Sequence, residues 1–247
     1  MTTIAEDSPH ARLIRKLETI TVLNRDDRDA IAALPLRAKS FEENQDLVRQ
    51  GDRPSECCLL VEGFVCRYKV LGEGQRQIMS FHLPGDIPDL QSLHLKVMDH
   101  GLGALTPVTV AFIPHEAMEE ITRSRPTIAA AFWRDTLIDA AVFREWLAGV
   151  GRRSAHQRIA HLICELCTRL KALGLIDNTS FQLMVTQAEV ADALGLSSVH
   201  VNRVLQDLRR DGLIAIQGRV LKILDWEGLK EAGDFDSEYL HLRHDPS

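Results

Sequence analysis

The 247-residue chain contains no apolar run near the roughly 18–20 residues that a bilayer-spanning helix needs, so an integral helical membrane protein is excluded. Its first stretch, Met1 to His10, is polar and acidic and does not read as a signal peptide. Cysteine is scarce: five residues, an odd count in no disulfide-like framework, fit a reducing compartment, and the expected location is cytoplasmic. Internal repeats and low-complexity tracts are absent. An excess of positive charge is also missing, since the net charge is −6. That would argue against a nucleic-acid binder only if the charge were spread evenly, and it is not. Residues 1–150 carry 17 Lys+Arg against 22 Asp+Glu, residues 151–232 carry 11 against 9, and residues 233–247 carry 1 against 4. Only the middle of these three segments is positive, and phosphate binding depends on a local positive face rather than the overall balance.

What is present is the composition of a globular protein, 45% hydrophobic and 26% charged, long enough for one large domain or two ordinary ones. Ala11 to Leu23 and Asp26 to Leu34 read as short helices. From about Ser40 to His115 short apolar stretches are broken by turn residues such as Glu62-Gly63, Gly72-Glu73-Gly74 and Pro84-Gly85-Asp86. Short strands spaced by roughly ten residues predict an antiparallel barrel, sandwich or roll.

After Pro126 the period changes. Phe132, Thr136, Ala140, Phe143, Leu147 and Val150 form one helical stripe, with Trp133, Leu137 and Ala141 beside it. A long helix with two apolar faces needs two partners, and the second is read as the same helix of another subunit. Gly149 and Gly151 are expected to interrupt this helix as a hinge. Arg152 to Leu173 reads as a further helix capped by Gly174. The stretch after Gly233 is acidic and is expected to be poorly ordered.

The segment Val185 to Leu224 decides the functional reading. Thr186-Gln187-Ala188-Glu189 is a capping box that starts a helix running to about Leu194. Gly195-Leu196-Ser197 is a turn, and Ser197 is the N-cap of a second helix from Ser198 to Asp211. Val201, Val204, Leu205 and Leu208 fall on its inner face, leaving Ser198, Val199, Asn202, Arg203, Gln206 and Arg210 outward. Arg can bond guanine, Asn can bond adenine, and the first amides of the helix attract phosphate. Leu213 to Ile216 and Arg219 to Leu224 around Gln217-Gly218 then predict a β-hairpin wing. The candidate DNA-contacting residues are Thr186, Gln187, Ser197, Ser198, Val199, His200, Asn202, Arg203 and Gln206.

At these residues the chain resembles the Crp–Fnr family of bacterial transcription regulators, over roughly residues 30 to 230. Arg49-Gln50-Gly51-Asp52, Leu60-Val61-Glu62-Gly63 and Leu83-Pro84-Gly85-Asp86 look like the turns of that family's β-roll, and Leu194 to Arg203 looks like its recognition element. The resemblance implies an α+β fold in three parts, an N-terminal antiparallel β-roll effector domain (1–125, jelly-roll-like), a long dimerisation helix (126–150) and a winged helix-turn-helix (151–232); the acidic stretch 233–247 is expected to follow as a flexible tail. It implies a homodimer through the 127–150 helix on a pseudo-palindromic operator in double-stranded DNA, with RNA polymerase as a further partner if the protein activates. It also implies an effector turn at Gly85, Asp86 and Ile87.

Two departures matter. Many members carry a glutamate that reads cytosine where Val199 stands. Cyclic-nucleotide-binding members carry an arginine for the cyclic phosphate near where this chain has His100 to Ala104, and without a cation there a buried phosphate is heavily penalised. Weak or no cyclic AMP binding is therefore expected. No metal or cofactor is expected either, since iron–sulfur members carry N-terminal cysteines and the first here is Cys57. Cys57-Cys58, Cys66, Cys164 and Cys167 read as buried small hydrophobes, and His82, His94, His100 and His115 lack ligand spacing. Two alternatives stand beside the regulator: a cupin-like metal enzyme, whose paired His-x-His is missing, and a ligand-gated module whose helix-turn-helix binds protein.

Overall fold

The computed structural model describes residues 8–176 and 178–243. Its contacts divide the described residues into two compact units, one formed by residues 8–69, 79–139 and 242–243, the other by residues 70–78, 140–176 and 178–241.

In the first unit, α1 (Pro9–Glu18) starts with proline at its first position after Ser8, whose hydroxyl accepts from the Ala11 amide. It stops at Thr19, short of the expected Leu23. Helix α2 (Arg25–Ala32) opens with an Asn24/Asp27 capping box. Seven strands follow: β1 (Arg37–Phe41), β2 (Asp46–Val48), β3 (Glu56–Glu62), β4 (Val65–Val70), β5 (Arg76–His82), β6 (Gly101–Ala104) and β7 (Val108–Pro114). They form two sheets, ordered β1-β7-β3 and β2-β6-β4-β5, with antiparallel pairing along β1–β7, β3–β7, β2–β6 and β4–β6.

Adjacent residues on β3 face opposite ways, and the two cysteines there show it. Cys58 joins Phe41, Val65, Leu102 and Val110 inside the roll. Cys57 joins Leu13, Leu17, Ile31, Met118 and Ile128 in a second core, which α1, α2, α3 (His115–Ser124) and the start of the next helix build against the outer face of the sheet.

Helix α4 (Pro126–Arg152) runs 27 residues without a break. The expected interruption at Gly149 and Gly151 does not occur. Glycine costs a helix only about 1 kcal/mol against alanine, and the Arg153 amide still donates to the Gly149 carbonyl at 2.9 Å. The break falls three residues after Gly151, where Ser154 leaves the helical conformation and caps α5 (Ala155–Ala172) in a capping box with Gln157. The inward side of α4 carries Ile128, Ala131, Ile138 and Val142, which the sequence reading passed over. Most of the residues singled out above, in the stripe and beside it, stay exposed: Trp133 is 67% and Leu147 69% accessible, and Leu137, Phe143 and Val150 are exposed with them.

The second unit continues with β8 (Ser180–Gln182), α6 (Gln187–Leu194), α7 (Ser198–Arg210), β9 (Ile214–Gln217), β10 (Val220–Ile223) and α8 (Trp226–Gly233). The hairpin pairs Gln217 with Val220, so its two loop residues are Gly218 and Arg219, one place on from expectation. The register follows Gly218, whose φ of +60° suits the tight turn. Strand β8 adds a third member to this sheet.

The stretch read as a flexible tail is packed over residues 234–241. Phe235 and Leu240 are buried, and Tyr239 donates to Glu165 on α5 at 2.8 Å. Three apolar or aromatic side chains in an acidic segment suffice to dock it. The last four residues of that call lie outside the described residues. Among the described residues no helix is long and apolar enough to cross a membrane.

Candidate nucleic-acid interface

Helix α6 begins as its sequence dictates. The Thr186 hydroxyl accepts from the Glu189 amide at 3.2 Å while Glu189 accepts from the Thr186 amide at 2.6 Å. Gly195 ends the helix at φ +62°, in the left-handed region that a side chain resists. Ser197 then caps α7 by accepting from the His200 amide at 3.2 Å. Val201, Val204, Leu205 and Leu208 are buried, packing α7 against α5 and α6. One apolar face thus anchors the helix and fixes which residues point away.

Those residues are Ser198, Val199, His200, Asn202, Arg203 and Gln206, all exposed, together with Thr186, Gln187 and Ser197 at the helix starts. The polar members are not independent. Asn202 donates to Gln187 Oε1 at 3.1 Å and accepts from Gln206 at 2.9 Å, so one chain of amides links α6 to α7. Each amide in it keeps a further donor or acceptor for another molecule. Val199 stands among them 72% exposed. Arg219 and Lys222 on the wing are exposed too. The sequence reading did not single them out, though their place in the hairpin was the available signal.

The Gly85–Ile87 turn differs throughout: all three residues are buried. Gly85 has a φ of +101°, and a Cβ there would meet the Arg12 carbonyl oxygen and the Lys16 side chain at 2.8 Å, so α1 lies directly on the turn. Lys16 pairs with Asp86 at 2.6 Å and with Asp135 at 3.3 Å. Arg67 pairs with Asp139 and donates to the Pro88 carbonyl. His82 stands 3.5 Å from Asp86 and shares a 2.8 Å hydrogen bond with Ser80.

Burial, reinforced by the nearby Arg67 charge, pulls the His82 pKa down to about 4. Burial likewise pushes Asp89 up to about 6, against the Cys58 amide that donates to it at 2.8 Å. Around this turn Lys16 and Arg67 face the carboxylates Asp86, Asp135 and Asp139. A cyclic phosphate would add negative charge to cations already paired, so these residues do not fit one.

All five cysteines are buried. Burial lifts the thiol pKa of Cys57 and Cys58, and that of Cys164 to about 12. Among the described residues no group of three or more His, Cys, Asp or Glu is placed to hold a metal ion. His115 shares a 2.9 Å hydrogen bond with Ser92, and His100 lies 2.7 Å from Asp99.

Comparison with known proteins matches both halves of this architecture. Residues 38–125 match the cyclic nucleotide-binding domain and residues 157–232 the Crp-like helix-turn-helix domain. The nitrogen fixation regulation protein FixK of Rhizobium meliloti is 30% identical over 199 residues, which is 79% of this chain and 87% of that protein. The transcriptional activator protein FnrA of Stutzerimonas stutzeri is 28% identical over 207 residues, 84% of each chain. The solved structure of FixK2 from Bradyrhizobium japonicum superposes with a TM-score of 0.74 at 23% identity, covering 81% of this chain and 98% of that one, and shows the fold.

Proposed function

The chain belongs to the Crp–Fnr family of transcription regulators, and on that premise we propose how it reads its operator. It is a DNA-binding regulator and not an enzyme; the metal-enzyme and protein-module alternatives are not favoured by these relatives. The observation that carries the proposal is the exposed Ser198–Gln206 face of α7, anchored from behind by four buried side chains and held at its start by the Ser197 cap. In this reading Arg203 bonds a guanine edge, the Gln187–Asn202–Gln206 amides meet neighbouring bases, and the Ser197–His200 helix start meets a backbone phosphate. Thr186 positions α6 across the phosphates.

Two protomers pair through the exposed stripe of α4. Trp133, Leu137, Phe143, Leu147 and Val150 leave too much apolar surface on one helix for water to face. Pairing them places two recognition helices in successive major grooves of a pseudo-palindromic site. The protein works in the cytoplasm. RNA polymerase is its further partner where it activates.

An effector reaching Gly85, Asp86 and Ile87 has to displace Lys16 from Asp86, so it brings its own positive charge or a strong hydrogen-bond donor, and cyclic AMP is not that molecule. A ligand of this kind would bias the DNA-binding unit through the junction at Arg153 and Ser154.

The direct test is Arg203→Ala in quantitative gel shifts against a selected operator. A loss of about 1–3 kcal/mol, confined to one base pair of each half-site, is expected. Unchanged binding to both operator and random duplex would show that α7 is not the reading helix.

A further inference from the structure

We propose that Val199 is a specificity residue that reads the C5 methyl group of a pyrimidine, within one or two base steps of the guanine bound by Arg203. The inference deepens the reading of α7 as the base-reading helix and rests on it. Val199 stands on the first turn of α7, outward and 72% exposed, one turn before Arg203 and between residues that are all polar. It contributes nothing to the interior, which Val201, Val204, Leu205 and Leu208 fill.

Base chemistry narrows what such a side chain can recognise. Valine offers neither donor nor acceptor. Placed against the amino group of cytosine or adenine, or against O6 or N7 of guanine, it would strip water from a polar atom and return nothing. The one apolar group a base pair presents in the major groove is the C5 methyl of thymine, and 5-methylcytosine presents the same group. Valine is also stiff, since a β-branched side chain in a helix keeps essentially one χ1 rotamer, so little freedom is lost on contact.

The neighbours fix the frame around it. The Gln187–Asn202–Gln206 amide chain holds Asn202, three residues on and next to Arg203, in a set orientation. Residues four apart on a helix have Cβ atoms about 5–6 Å apart, and successive bases rise about 3.4 Å. The methyl that Val199 meets therefore belongs to a base next to, or next but one from, the guanine of Arg203.

The experiment uses the full-length protein and the duplex it selects from a random library. Each thymine of one half-site is replaced in turn by uracil, which removes the methyl and leaves every hydrogen-bonding group. At one position near the essential guanine the wild type should bind about fourfold more weakly, the worth of one buried methyl carbon. Val199→Ala should lose a similar factor on thymine and nothing further on uracil. At that position 5-methylcytosine paired with guanine should bind better than unmodified cytosine, which tells whether the methyl alone or the whole thymine is read.

Equal binding of thymine and uracil duplexes at every position would overturn the proposal, and this arm needs no variant protein. If Arg203→Ala still weakens binding in that case, α7 remains the reading helix and only the role of Val199 is lost. If Arg203→Ala has no effect either, the reading of α7 falls with it.

Discussion

Two glycine-bearing turns in this molecule sit among polar residues and treat them in opposite ways. At Gly85 the turn is built over: α1 lies on it, Lys16 spends its charge on Asp86 with His82 beside that carboxylate, and Arg67 spends its own on Asp139. At Gly195 nothing lies within 4 Å of where a Cβ would be, and the residues that follow point outward with hydrogen-bonding capacity to spare. Both glycines adopt positive φ, so conformation alone does not separate them. What separates them is where the polar groups go. Polar groups turned inward are committed to holding the fold, and those turned outward on a rigid helix are free for a partner.

The comparison predicts that inward polar groups cost stability when removed while outward ones cost only binding. The largest effect belongs to Glu165, which is fully buried and accepts hydrogen bonds from Trp146, Tyr239 and Arg169. Glu165→Ala should lower unfolding free energy by about 3–5 kcal/mol, because the Arg169 cation and two neutral donors lose a buried anion they share. Urea denaturation with little change in midpoint would break the comparison at its inward end.

Next is Gly85→Ala, where left-handed strain and a close approach to the Arg12 backbone add to about 2–4 kcal/mol. Gly195→Ala meets only the strain, about 1 kcal/mol. Thermal unfolding of the two variants side by side should rank them in that order, and the reverse order would contradict the packing described here.

The roll also carries a pH signature. The folded His82 pKa lies below its unfolded value, so its contribution is whole above pH 6.5 and is lost as pH falls toward about 4. Asp89 acts with the opposite sign: its folded pKa of about 6 lies above 3.8, so its contribution is present at low pH and is lost as pH rises through about 6. Melts from pH 7 to pH 4 should therefore steepen in Asp89→Asn and flatten or invert in His82→Gln, by up to about 1.4 kcal/mol per pH unit. The same slope in both variants would show that neither group titrates as its surroundings dictate.

Much of the second unit was legible because its signals are local. The Thr186–Glu189 box, Gly195, the Ser197 cap and the i, i+3, i+4, i+7 spacing of Val201, Val204, Leu205 and Leu208 each act within a turn or two, and each appears where its spacing put it. The Ser154–Gln157 capping box is equally local and marks the true end of α4, while the two glycines before it, each a weak helix former, are carried within the helix. The roll's charged cluster was not legible. Lys16 and Asp86 are 70 positions apart, and only the folded sheet brings α1 onto that turn. The docking of Phe235 and Tyr239 beside His161 was hidden for the same reason. No period links a short acidic segment to a helix that ended some sixty residues earlier.

The central claim is that the outward face of α7 reads base pairs in two symmetry-related half-sites. The measurement that tests it most directly is selection of bound duplexes from a random library by wild-type protein and by Arg203→Ala. The account predicts an inverted repeat with half-sites about one helical turn apart and a guanine in each that the variant no longer requires. Selection of no common sequence by the wild type, or of the same repeat with the same guanine by the variant, would contradict it.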